Sequence, residues 1–460
     1  MSSSFSVLPS NAQQQPKPFE LKVPEEEMEK FRTLLSLSEI GSDTWWSQPS
    51  NGYFGVTRQW LMQAKDEWLR FDWRKTENRV NAFPNFKVDI TSGGQHHKVH
   101  FAALFSSKAD AFPVIFLHGW PGSFLEFLPM LELLAEKYTP ATLPWHVIVP
   151  SIPDYGLTTR DDHQQEMRFS QAAGIMNELM VQLGFKSGYA AQGGDVGSGI
   201  ATTMASMFPE CVAYHLNLPF KNMVPTDLPL VLLTVDERAQ MERSAEWMKT
   251  GMAYAFEQGT RPATIGLVLS SNPLAMLAWI GEKYLEWADH RQPLSLETIL
   301  AMISFYWFTK SYSKSVWPYR ELGNSVPQPG ASFDQETVDL KAHNDATRKP
   351  LGYSAFPKEI LVIPQSWAQK TFPNLVFYRR HSIGGHFAAL EQPQAFVEDV
   401  EEFMQIKSTK APLISLRTGS GAIRYALPRQ AMAGSALEMP GVSLYGLVLV
   451  RVRVPVTFEY

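Results

Sequence analysis

Asp195 stands at the centre of Gly193-Gly194-Asp195-Val196-Gly197-Ser198. An extended small-residue stretch, Ser187 to Gln192, precedes it, and a run from Gly199 to Phe208 that reads as a helix ended by Pro209 follows. A strand, a glycine-flanked turn and a helix make a nucleophile elbow, in which the central side chain is pushed out above the sheet and its neighbours must be small. Gly193, Gly197 and Ser198 meet that need. The same pattern also reads as an ordinary Gly-rich turn with a helix-capping Asp. As a nucleophile, a carboxylate with a reference pKa of about 3.9 is ionised at neutral pH and needs no base to activate it. A second candidate is His386, in the small-residue loop Gly384-Gly385-His386-Phe387-Ala388-Ala389 after the last apolar strand. His381 competes with it but lies closer to that strand.

The elements that position these residues alternate. Phe86–Ile90 and Lys98–Leu104 read as a β-hairpin, and Pro113–Leu117 as a buried strand running into His118-Gly119-Trp120-Pro121-Gly122-Ser123. A helix is expected from about Phe124 to Tyr138, a strand at Trp145–Pro150, a helix at 168–184 and a strand at Val212–Leu216. After a break the alternation resumes with strands expected at Glu359–Pro364 and Asn374–Tyr378 and a last helix at 392–406. Such a pattern implies a mostly parallel α/β sheet covered by helices on both faces. The block between, 219–353, is helical and rich in Pro, Trp and Tyr, and reads as a lid over the strands' carboxyl ends, where such sheets bind ligands. The organisation expected is therefore a disordered N-terminus (1–18), a helical meander (19–85), the first part of the core (86–218), the lid (219–353), the second part of the core (354–406) and a tail (407–460). Trp45, Trp46, Tyr53, Trp60, Trp68, Phe71 and Trp73 in the meander are too many to leave in solvent, and the core is the expected partner. The tail is expected to be dispensable or poorly ordered, with membrane or partner binding as the alternative.

Composition narrows the function classes. A net charge of −5 gives no reason to expect nucleic acid. The single cysteine, Cys211, rules out an internal disulfide framework and fits a reducing compartment. Neither a signal-like apolar run nor a stretch of about 20 apolar residues is present, so a cytoplasmic protein without stable membrane insertion is expected. No GxGxxG, P-loop or metal-ligand spacing occurs, so no cofactor and no metal are expected; the pair His96-His97 is expected to be exposed in its hairpin. Thirteen Trp and 28 Phe suit an apolar pocket.

His118-Gly119-Trp120-Pro121 after an early core strand, Gly194-Asp195-Val196-Gly197 and Gly384-Gly385-His386-Phe387 together resemble the epoxide hydrolases, in the microsomal-type branch with its soluble fungal relatives. The resemblance covers about residues 18 to 406. It includes Pro150-Ser151-Ile152-Pro153 and the lid phrases Gly259-Thr260-Arg261-Pro262-Ala263-Thr264 and Ala278-Trp279-Ile280-Gly281-Glu282-Lys283. Asp154 departs from it, since the family usually has Gly before Tyr155-Gly156. The resemblance implies an α/β-hydrolase fold with a helical lid and a cofactor-independent conversion of epoxides to vicinal diols. Asp195 would attack a ring carbon to form an ester, and Tyr254 and Tyr319 would donate hydrogen bonds to the leaving oxygen, with Tyr312 the nearest rival. His386 would activate the water that cleaves the ester, oriented by Glu359, with Asp345 and Glu391 as alternatives. The backbone N–H groups of Trp120 and Val196 would form the oxyanion hole. The aromatic supply points to a lipophilic or aryl epoxide as the small-molecule partner, in detoxification or secondary metabolism, and the resemblance is compatible with a homodimer.

Three other readings compete. A haloalkane dehalogenase also uses an Asp nucleophile, but often with Trp directly after it where Val196 stands here. A serine esterase is disfavoured by Asp195 itself. A non-catalytic binding protein on the same fold would usually lack one of the catalytic parts, and none is missing.

Overall fold

The computed structural model describes residues 4–51, 53–161, 165–218, 233–322, 348–408 and 415–417. One sheet runs through it. Its strands are β1 (Lys17–Pro18), β2 (Asn85–Ser92), β3 (Gln95–Leu104), β4 (Phe112–Leu117), β5 (Trp145–Pro150), β6 (Thr159–Arg160), β7 (Tyr189–Gly193), β8 (Cys211–Leu216), β9 (Leu351–Ala355), β10 (Leu375–Arg380) and β11 (Ser415–Arg417). Their order is β1-β2-β3-β5-β4-β7-β8-β9-β10-β11, with β6 paired to β3. From β5 to β11 all pairings are parallel, and from β1 to β5 they are antiparallel. The chain order reverses around β4, which lies between β5 and β7. Side chains of β5 and β7 are buried throughout, as expected for strands covered by helices on both faces. Helices Leu128–Lys137, Phe169–Met180, Val196–Met207 and Pro393–Ser408 provide that cover.

The lid is helical between Val235 and Leu322, with segments at 235–250, 253–260, 262–271, 273–287, 296–309, 312–315 and 318–322. No single helix among the described residues is long and apolar enough to cross a membrane.

Four expectations change. The second half of the core begins at β9, Leu351–Ala355, and 359–364 is not a strand. Pro357 and Pro364 bracket that apolar run and cannot donate to a ladder. Two of its N–H groups also go to side chains, Ile360 to Glu359 Oε1 and Ile363 to the Tyr353 hydroxyl. The N-terminus is ordered from Ser4 on. Phe5 is buried and its carbonyl accepts from Phe105 N at 3.1 Å, Asn11 Nδ2 donates to Gly184 O at 2.6 Å, and β1 pairs with β2. A polar composition hid those few anchoring contacts. The meander packs on the lid as well as the core. Trp68 Nε1 donates to Ser304 Oγ at 2.8 Å in lid helix 296–309, while Trp45, Trp46 and Tyr53 stay more than half exposed. Trp45 and Trp46 cluster with Phe54, ring against ring at 5.1–5.7 Å. Finally, His97 is buried on β3 rather than exposed, which pushes its pKa down to about 4. Of the tail, β11 forms a short edge strand beside β10, and residues 409–414 and 418–460 lie outside the described residues.

Candidate active site

Asp195 follows β7 and caps helix Val196–Met207 with φ 49° and ψ −127°, a conformation that a non-glycine residue adopts only under local strain. The strain is held by close packing. A Cβ on Gly193 would lie 2.1 Å from Gly197 O, and one on Gly197 would lie 2.0 Å from Leu117 O. The elbow therefore sits directly against the end of β4, and the loop after β4 is brought to the nucleophile. There Trp120 N donates to Asp195 Oδ1 at 2.7 Å. Val196 N also favours the charged form of this carboxylate. The Trp120–Pro121 peptide is cis, and two buried lid phenols hold this loop. Tyr284 donates to Pro121 O at 3.1 Å and Tyr306 to Gly122 O at 2.8 Å.

His386 reaches the site from the loop after β10. Its Nε2 is 3.7 Å from Asp195 Oδ2 and its Nδ1 is 2.6 Å from Glu359 Oε1. Glu359 comes from the loop after β9, which lid residue Arg243 clamps by donating to Pro357 O at 3.2 Å and to Glu359 O. The histidine loop is pinned from both sides. Trp287 O accepts from His386 N at 3.0 Å, Asp289 Oδ2 from Gly384 N at 2.9 Å, and Glu391 from Gly385 N at 3.0 Å and Phe387 N at 2.9 Å. Glu391, an alternative for the orienting acid, is thus committed to backbone. His381 pairs with Asp399 at 2.6 Å, away from Asp195. Asp345 lies outside the described residues.

Both expected lid tyrosines arrive at the same place. Tyr254 stacks on Trp120 with centroids 5.2 Å apart, and Tyr319 meets Trp120 edge-on at 5.5 Å. The two phenol rings also pack on each other edge-on, with centroids 5.5 Å apart. Burial, with the Asp195 charge adding to it, pushes both well above the ordinary phenol range, so they are protonated donors at neutral pH. Tyr312 instead donates to Gln258 Oε1 at 2.7 Å.

Electrostatics tie the groups together. Burial raises Asp195, against the opposing pull of His386 and the two backbone N–H groups. Burial alone would lower His386, but the carboxylates of Glu359 first and Asp195 next outweigh it and lift it to about 9. The histidine is then an imidazolium while Asp195 carries its charge. Glu359 is pushed up by burial and pulled back by His386. Asp154, the departure from the family pattern, has φ 67° and pairs with Arg160 at 3.0 Å, both side chains buried. A positive φ explains why glycine is the usual residue there.

The sequence reading missed Glu126, Trp287, Tyr284, Tyr306 and Arg243. Only Glu126 left a signal, as a lone acid inside the apolar run Phe124-Leu125-Glu126-Phe127-Leu128.

Comparison with known proteins places the chain in a family. Residues 16–127 match the family model described as epoxide hydrolase N terminus, and residues 113–261 match alpha/beta hydrolase fold. The chain is 42% identical to the solved epoxide hydrolase of Aspergillus niger, covering 87% of this chain and 99% of that one with a TM-score of 0.79. A Dothistroma septosporum protein named as a candidate epoxide hydrolase is 41% identical over 87% of this chain and 93% of its own. Epoxide hydrolase 1 of Sus scrofa is 31% identical over 84% of this chain and 88% of its own.

Proposed function

The chain belongs to the epoxide hydrolase family, and from that premise we propose that it opens lipophilic epoxides to vicinal diols in two steps through an ester on Asp195. The observation that carries this reading is the Asp195 carboxylate held between Trp120 N at 2.7 Å and His386 Nε2 at 3.7 Å, with Glu359 behind the histidine at 2.6 Å. In the first step a carboxylate oxygen attacks a ring carbon. The C–O bond of the epoxide breaks, and Tyr254 and Tyr319 stabilise the departing oxygen by hydrogen bonds, which become stronger as its charge develops. That oxygen ends as a hydroxyl, so one proton is taken up overall.

Forming the ester removes the Asp195 charge, which together with Glu359 keeps His386 protonated. Its pKa falls, the imidazolium gives up a proton equal to the one taken up by the alkoxide, and neutral His386 becomes a base. In the second step water attacks the ester carbonyl and loses its proton to His386 Nε2. The oxyanion is received by Trp120 N and Val196 N, the acyl C–O bond to the diol breaks, the water's remaining proton passes from the adduct's hydroxyl to the departing oxygen, and Asp195 returns as a carboxylate beside an imidazolium. Aromatic walls from Trp120, Tyr254, Trp287 and Tyr319 favour a lipophilic epoxide. The test is diol formation from styrene oxide and alkyl epoxides by purified protein. Turnover that Asp195→Ala abolishes supports the reading, and turnover that survives in that variant removes it.

A further inference from the structure

On the inner side of the elbow lies a cavity of about 20 Å³, lined by Glu126, Gln192, Asp195, Asn217 and His386, with Phe127 and other apolar residues closing it. That volume fits a single water molecule and excludes an organic substrate. Neither Tyr254 nor Tyr319 lines it, while Trp120, on which both phenols pack, does. The cavity's polar lining is what one water needs, which is two to four partners. Gln192 donates through Nε2 to Asn217 Oδ1 at 2.8 Å, which leaves Gln192 Oε1 buried with no hydrogen-bond partner among the described residues. Glu126 comes from the one-turn helix Phe124–Phe127 and is 9% exposed. Its carboxyl lies so close to Gly122 that a Cβ there would fall 1.3 Å from Glu126 Oε1.

We propose that Glu126 is the water-positioning residue of the second half-reaction, holding the hydrolytic water in this cavity between His386 and the Asp195 carbonyl carbon. The inference rests on the reading of Asp195 as the ester-forming residue. The water donates one proton to His386 Nε2 and the other to an acceptor oxygen on Glu126 or Gln192, which turns a lone pair toward the ester. Burial first, and the Asp195 charge with it, raise Glu126 to about 8 against the pull of His386, so it is a neutral acid under ordinary conditions and can both accept and donate. The titratable groups around it are His386, Asp195 and Glu391, with the Tyr284 and Tyr306 phenols of the lid.

Stopped-flow single turnover with styrene oxide separates ester formation from ester hydrolysis. In Glu126→Leu the hydrolysis step should fall about 10²-fold, the cost of a misplaced reactant, while ester formation stays within about threefold and the ester accumulates. Glu126→Gln, which keeps a neutral donor and acceptor, should restore most of the rate. It should also remove a loss of hydrolysis rate at alkaline pH that the wild type shows as Glu126 ionises. Unchanged hydrolysis in Glu126→Leu, or equal loss of both steps, overturns the proposal. If that variant does not fold, a high-pH loss that persists in Glu126→Gln overturns it. Absence of any ester in the wild type is a different failure, that of the Asp195 reading itself.

Discussion

Replacing Glu359 by Gln keeps the shape and a hydrogen-bonding group beside His386 Nδ1 but removes the charge. Glu359 is the largest of the influences that raise His386 to about 9 from 6.5. That rise corresponds to roughly 3 kcal/mol of imidazolium stabilisation, at about 1.36 kcal/mol per pH unit. His386 is 6% exposed, so solvent screening takes little from that figure. The amide oxygen that replaces the carboxylate still accepts from Nδ1, so not all of it is lost. Ester hydrolysis, whose transition state carries an imidazolium, should slow by about 20- to 300-fold. Ester formation should change much less, because Asp195 is already a carboxylate and the phenols are untouched. Single-turnover fluorescence read by stopped flow, with quenched-flow mass spectrometry of the ester, measures both steps. A second readout is stability. A histidine whose folded pKa is raised stabilises the fold fully below about pH 6.5, and that contribution is lost as pH rises through about 9. The difference in unfolding free energy between wild type and Glu359→Gln should therefore shrink by up to about 3 kcal/mol across that window. Hydrolysis that slows less than ester formation, or a stability difference independent of pH, would refute the reasoning.

Two further substitutions probe the lid and the loop beside it. Tyr254→Phe and Tyr319→Phe should each slow ester formation by about 10²-fold, and the double variant by more, with ester hydrolysis nearly unchanged; rapid-quench analysis of each step checks this. Asp154→Gly relieves a positive φ, worth about 1–3 kcal/mol, but removes the carboxylate paired with Arg160, and breaking a buried ion pair costs about 3–5 kcal/mol. The net expectation is a lower melting temperature in calorimetry, and a higher one would show that the backbone strain outweighs the ion pair.

The site was legible to different degrees for physical reasons. Asp195 and the Trp120 loop carry their geometry in local sequence, because a strained turn admits only small neighbours and those neighbours are visible as Gly193, Gly197 and Ser198. His386 was marked by its position after the last strand. Tyr254, Tyr319 and Glu359 had no local signature beyond family phrases, since a phenol on a lid helix looks like any buried tyrosine until Trp120 packs against it. The strand expected at Glu359–Pro364 failed because an apolar run was read without weighing the prolines at both ends, and β9 carries a glycine and a serine that dilute its pattern. The ordering of residues 4–18 depends on partners far along the chain, such as Phe105 and Gly184, which no local reading contains. Glu126 sits in an apolar run where an acid signals a burial cost, but only the packing of Gly122 and Asp195 around it shows what the acid faces.

The central claim is that the carboxylate of Asp195 itself becomes the ester. Single turnover of styrene oxide in ¹⁸O water, followed by mass spectrometry of the peptide holding Asp195, tests it most directly. The account predicts diol together with one ¹⁸O atom in Asp195, because water attacks the ester carbonyl and leaves its oxygen in the side chain. Diol whose oxygen comes from solvent with no label in Asp195 would mean direct attack of water on the epoxide, and would contradict it.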